Sequence, residues 1–140
     1  MPIDRKPSAG RIAFVDDVSF SVMRFIRSAE YEGYQVHTFS HGDDLLSHVN
    51  ENEFHFDLLV LDLIMPDIDG LEILRALRKR YTSEELPVIM LSTKNNELDA
   101  EMALLNGANV FFNKAVSADE FMQGVRKLMD QGQKFAFPAK

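Results

Sequence analysis

The chain has 140 residues, 46% of them hydrophobic and 26% charged, with no cysteine and a formal net charge of −7. This is the length of one domain with its own core and the balance of a soluble globular protein; it excludes disulfides and thiolate chemistry. Surplus acid repels a phosphate backbone, so direct nucleic-acid binding is not expected. The longest apolar runs are far too short for a bilayer, and Met1 to Gly10 holds no secretory signal, so a cytoplasmic protein without membrane contact is expected.

Residues 1–9 read as a leader, 10–130 as the folded domain and 131–140 as a tail or the start of a linker. Arg11 to Asp16 is a short apolar run ending in acid, a first strand. A helical pattern follows, with Val18, Val22, Phe25, Ile26 and Ala29 on one face, and Gly33 stops it. Tyr34 to Phe39 is a second strand centred on Val36, and Leu45, Leu46 and Val49 mark a short second helix. Leu58 to Leu61 is the strongest strand and ends at Asp62. A loop with Pro66 and Gly70 leads to a helix carrying Leu71, Leu74 and Leu77. Pro87 to Leu91 is strand four, and Leu98, Met102 and Leu105 mark a fourth helix closed by Gly107. Val110-Phe111-Phe112 is strand five, and Phe121, Val125 and Leu128 define the last helix.

Five βα units with near-continuous apolar strands predict an α/β fold: a five-stranded parallel sheet covered by helices on both faces. Right-handed crossovers leave the flavodoxin-like, doubly wound strand order 2-1-3-4-5 as the common solution at this size. Ligands in such folds sit outside the carboxyl ends of the strands. The polar residues placed there are Asp16 and Asp17, Asp62, Ser92 and Thr93, and Lys114. The four histidines (His37, His41, His48 and His55) fall elsewhere and are expected on the surface.

Three carboxylates on adjoining strand ends repel one another unless a cation sits among them. Mg²⁺ suits them, since it takes hard oxygen ligands and no histidine or cysteine is nearby to favour zinc. An aspartate beside Mg²⁺ is a nucleophile toward phosphorus, and phosphoryl transfer asks the protein mainly for positioning and positive charge. Lys114 can add charge and the Ser92 hydroxyl can hydrogen-bond a phosphoryl oxygen. Each residue also has a plainer use. Asp16 and Asp17 can cap a helix, Asp62 can serve a turn, Ser92 can cap helix four, and Lys114 can be a solvated lysine. Singly, the plain use is favoured for Ser92 and Lys114 and evenly matched for the acids; jointly, coincidence at all the right strand ends is a small chance.

The strings Val15-Asp16-Asp17, Leu61-Asp62-Leu63-Ile64-Met65-Pro66-Asp67-Ile68-Asp69-Gly70, Leu91-Ser92-Thr93 and Asn113-Lys114 resemble the response-regulator receiver family of two-component signalling. The resemblance covers about Gly10 to Met129, and Asp16-Asp17-Val18-Ser19 with Met23-Arg24 looks like the single-domain regulators of the chemotaxis type. It implies that Asp62 is the phosphoacceptor and that Mg²⁺ is held by Asp17 directly, by Asp16 largely through water, by Asp62, and by the backbone carbonyl of Ile64. Ser92 is implied as the switch hydroxyl, Lys114 as the partner of the phosphoryl group, and Phe111 as the aromatic rotamer switch. The altered surface is implied to be helix four, strand five and helix five. The implied donor is a sensor histidine kinase or histidine phosphotransfer protein, and the recipient a downstream effector or fused output domain. The resemblance implies no metabolic enzyme, only a domain that catalyses its own phosphorylation and slow dephosphorylation.

The family usually has proline after the lysine, often in a cis bond; here the residue is Ala115. A cis bond to a non-proline residue costs about 3 kcal/mol, which favours trans. Phe111 stands where tyrosine is frequent, and Phe112 is expected in the core. Two other readings compete. A haloacid-dehalogenase-like phosphatase wants an acid two residues after its nucleophile, and Ile64 cannot serve. A phosphorylation-independent adaptor need not keep Asp62 or Lys114. The tail phenylalanines, Phe135 and Phe137, are open to packing on the body, to a linker or to a further domain.

Overall fold

The computed structural model describes residues 10–16, 20–49, 55–63, 69–93 and 97–134. Five strands alternate with five helices: β1 Gly10–Val15, α1 Phe20–Tyr31, β2 Tyr34–Phe39, α2 Gly42–Val49, β3 Leu58–Asp62, α3 Gly70–Arg78, β4 Val88–Ser92, α4 Glu97–Leu105, β5 Val110–Asn113 and α5 Ala118–Lys134. The strands pair in parallel in the order β2-β1-β3-β4-β5, as the alternation of apolar runs and helical patterns predicts. Residues 1–9, Val18, and both tail phenylalanines lie outside the described residues. Helix α5 runs to Lys134, past the expected start of the tail at 131.

The period-2 alternation of side chains across a strand explains why β3 and β4 read as unbroken apolar runs. Leu58 and Val60 point to one core, with Phe25 of α1 and Phe121 of α5. Leu59 and Leu61 point to the other, with Leu45 of α2 and Ile73, Leu74 and Leu77 of α3. Every residue of β3 and β4 is buried. β2 and β5 are edge strands and correspondingly more open, so Phe112 is half-buried rather than fully in the core.

Helix α4 departs from expectation. Leu98, Met102 and Leu105 lie on its open side, Leu98 at 61% and Leu105 at 81% exposure, and its buried residue is Ala103. The helix docks through a small residue, which sends its larger apolar side chains outward. The histidines are mostly where they were expected: His37, His41 and His55 are exposed. His48 is half-buried, edge-on to Phe39 with ring centroids 5.1 Å apart. Among the described residues no helix is long and apolar enough to cross a membrane.

Candidate functional site

The site forms where three strands end side by side. The β1–β3 register sets Val15 beside Leu61, and β3–β4 sets Asp62 beside Leu91, so Asp16, Asp62 and Ser92 leave the sheet at one edge. β5 brings Asn113 beside Ser92 and carries Lys114 immediately beyond. Asp16 is tied at its backbone, its N–H donating to the Phe39 carbonyl at 3.0 Å. The Lys114 N–H donates to the Ser92 carbonyl at 2.8 Å.

The β3–α3 connection is held equally close. Asp69 caps α3, its side chain accepting from the Leu71 N–H at 3.1 Å, and the Gly70 N–H donates to the Leu63 carbonyl at 3.0 Å. A β-carbon on Gly70 would stand 2.4 Å from the Asp62 carbonyl oxygen, so only glycine lets α3 start against the end of β3.

Asp16, Asp62, Lys114 and Ser92 are all buried, at 3, 8, 7 and 1% exposure, and these are the buried polar or charged residues among those described. Charges at such depth need partners. The Lys114 ammonium donates to Oδ2 of Asp16 at 2.8 Å and to Oδ2 of Asp62 at 3.1 Å, bridging the two acids. Oδ1 of Asp16 is buried and, among the described residues, is the one buried side-chain polar atom without a hydrogen-bond partner.

The electrostatics follow from burial and from one cation serving two acids. The Asp16 carboxyl is pushed up to about 6, first because burial strips its water and further by the neighbouring Asp62, while the bond from Lys114 and its charge pull the other way. For Lys114, burial alone would lower the ammonium pKa. The bond to Asp16, the Asp62 and Asp16 charges and the bond to Asp62 outweigh burial, and the net shift is upward. Lys114 therefore stays charged at neutral pH.

The structure thus brings together Asp16, Asp62, Lys114 and Ser92. Asp17 and Ile64 lie outside the described residues, and among those described no three acidic or imidazole side chains gather as a metal-binding group. The donor set still fits a hard divalent cation: two buried carboxylates share one ammonium, and the orphaned oxygen of Asp16 is an anionic ligand wanting a positive partner. Phe111 is half-buried against the α2–α3 side of the sheet. The Lys114–Ala115 bond is trans, there being no cis peptide among the described residues. Arg24, noted above only within the Met23-Arg24 likeness, makes a contact the sequence does not signal: its guanidinium Nη2 donates to the Lys114 carbonyl at 2.6 Å. No local pattern could have revealed it, because the two residues are 90 apart in the chain.

A sequence model of the response regulator receiver domain matches residues 12–126. The phosphate regulon transcriptional regulatory protein PhoB of Rhizobium meliloti (strain 1021) is 33% identical over 119 residues, which is 85% of this chain and 52% of that protein. Among solved structures, a CheY-like response regulator receiver domain protein from Methanospirillum hungatei JF-1 is 26% identical with a TM-score of 0.78, covering 89% of this chain and 97% of that one. A probable two-component system response regulator/GGDEF domain protein is 27% identical with a TM-score of 0.80, covering 89% of this chain and 50% of that one. The chain therefore spans about half the length of the curated relative it matches.

Proposed function

The chain belongs to the response regulator receiver family, and from that premise we propose that it is a phosphorylation switch whose acceptor is Asp62. The observation that carries this reading is the Lys114 bridge between Asp16 and Asp62, set beside the orphaned Asp16 oxygen. A stability-driven core has little use for two buried acids on one lysine, because the desolvation cost of such groups rivals what their pairing returns.

In the proposed reaction an Asp62 oxygen attacks the phosphorus of a phosphohistidine. The P–N bond breaks, the imidazole leaves, and an aspartyl phosphate remains. Lys114, bonded to Oδ2 of Asp62, fixes the rotation of that carboxylate and places positive charge beside the phosphoryl oxygens. The Ser92 hydroxyl, buried at the end of β4, donates to one of those oxygens. Mg²⁺ would be held by Asp17 directly, by Asp16 largely through a water at its orphaned oxygen, by Asp62 and by the Ile64 carbonyl. When bound, Mg²⁺ supplies the remaining charge neutralisation on the phosphoryl group. The domain acts on itself alone, catalysing its own phosphorylation and slow dephosphorylation.

Output is proposed to leave through α4, β5 and α5. Phe111 lies on β5 three residues before Lys114, and it turns inward as Ser92 engages the phosphoryl group. The neighbouring α4 offers exposed Leu98, Met102, Leu104 and Leu105, with a surface hollow of about 370 Å³ lined by Glu101, Leu104 and Leu105. One relative is a transcriptional regulator and another carries a GGDEF domain, each about twice the matched length. A fused output domain or a separate effector is the proposed recipient, a sensor histidine kinase or histidine phosphotransfer protein the donor, and the cytoplasm the proposed location.

Intact mass after incubation with acetyl phosphate and Mg²⁺, beside Asp62→Ala, tests the reading. One phosphoryl increment is expected, dependent on Mg²⁺ and missing in the variant. A wild-type chain that gains no mass and does not respond to beryllofluoride would leave the phosphorylation-independent adaptor in its place.

A further inference from the structure

We propose that Arg24 is a positioning residue for Lys114, holding the backbone from which that lysine reaches into the site. The proposal rests on the phosphoacceptor reading above for its kinetic consequence, though not for its geometry.

Lys114 must place its ammonium between two carboxylates through a long, flexible side chain, whose free torsions cost entropy to fix. The ammonium can be only as well placed as the Cα that carries it. A tilt of about 10° at that Cα moves the ammonium by roughly 1 Å, and a displacement of that size can cost about 100-fold in rate. The peptide after Lys114 is trans and leads to Ala115, so no ring constrains the turn.

Local bonds shape the turn. The Asn113 side chain accepts from the Ala115 N–H at 2.8 Å, and the Asn113 carbonyl accepts from the Val116 N–H at 3.0 Å. These bonds travel with the loop and cannot fix it to the rest of the molecule. Among the described residues two bonds reach the Lys114 backbone from other elements. Ser92 at the end of β4 accepts from its N–H, and Arg24 of α1 donates to its carbonyl. The two bonds grip opposite sides of the residue.

Arg24 is itself held in place. Its guanidinium lies over the Phe25 ring, 4.2 Å from the centroid, and Phe25 is fully buried and stacked on Phe121 of α5 at 4.3 Å. A planar cation resting on a fixed aromatic face is a pre-aimed donor rather than a wandering side chain. It joins α1, the β5–α5 turn and the core beneath them. An arginine serving only the surface would have no need to end on the backbone of the one lysine in the buried site.

The test compares wild type with Arg24→Met, which keeps the stem over Phe25 and loses the donor, and with Arg24→Lys, which keeps a donor. Two quantities are measured: the rate of Mg²⁺-dependent mass gain from acetyl phosphate, and the Lys114 ammonium resonance in protein labelled with ¹⁵N-lysine. R24M should lose about tenfold in rate. Its Lys114 signal should vanish through faster exchange with water, while R24K recovers most of both. Should R24M melt below the assay temperature, Arg24→Leu takes its place with the same expectations. Wild-type rate and resonance in the donor-free variant would overturn the proposal, as would equal slowing in all variants with the Lys114 resonance unmoved. If wild type takes no phosphoryl group, the phosphoacceptor reading fails, and the resonance alone decides whether Arg24 positions Lys114.

Discussion

Two cations are drawn out of water at opposite ends of this sheet, and they are satisfied in opposite ways. Lys114, beyond the carboxyl end of β5, meets two carboxylates. Arg78, at the end of α3, meets neutral acceptors before the amino ends of β4 and β5. Its Nε donates to the Gly107 carbonyl at 3.0 Å, its Nη1 to Leu86 at 2.9 Å and Thr82 at 3.2 Å, and its Nη2 to the Asn109 side chain at 3.2 Å. Burial lowers its pKa to about 10, which leaves it charged at neutral pH. Gly107, with φ of +108° and no β-carbon to meet the arginine, makes the close approach possible. Carbonyl dipoles can fix a cation and leave nothing over. Two acids on one ammonium leave a surplus negative charge and an orphaned oxygen, so the Lys114 end is built to receive something and the Arg78 end to latch.

The strongest way to break this contrast is Lys114→Met. Phosphorylation of Asp62 should slow by about 100-fold, as expected for losing a preorganised charge at a reacting group. An unchanged rate of mass gain would put both cations in the latch class. Arg78→Met should do the reverse. It strands several carbonyls and should cost about 3 kcal/mol in urea unfolding, while phosphorylation per folded molecule stays at the wild-type rate. A slowed reaction in well-folded R78M would show that the latch end also serves the chemistry.

A smaller effect sharpens the comparison through pH. Folded Asp16 keeps its proton up to about pH 6, whereas the unfolded carboxyl releases it near 3.8. Between those values the native state binds more protons than the unfolded one, so this group's contribution to stability falls as pH rises. The difference between wild type and Asp16→Asn, measured by thermal melting without Mg²⁺, should therefore shift against wild type from about pH 4 to about pH 6. Adding Mg²⁺ should return much of the loss above pH 6 and little at pH 4. A difference curve flat in pH would mean that Asp16 is not held out of water as the structure has it.

The sheet and its order were legible because β3 and β4, buried on both faces, can be nothing but apolar, and because Gly33 and Gly107 close the helices before the strands they precede. Asp16, Asp62, Ser92 and Lys114 were legible for a related reason: they are the polar residues at which apolar runs end. The outward face of α4 was not legible. Leu98, Met102 and Leu105 carry the spacing of a core stripe, and spacing does not say which side a helix presents. The contacts of Arg24 and Arg78 escaped as well, since their partners are mostly main-chain carbonyls, which any residue possesses and no sequence pattern marks.

The long reach of the Lys114 bridge bears on how the protein is made. Its ammonium closes on Asp62 across 52 residues and on Asp16 across 98. A ribosome adding about 5–20 residues per second therefore presents Asp62 for about 3–10 s before the lysine exists. Through that interval the nascent chain holds the proposed acceptor acid without the lysine that bonds it. On the proposed phosphoacceptor reading, competence arrives only with the last strand and helix, and a truncated product would be silent.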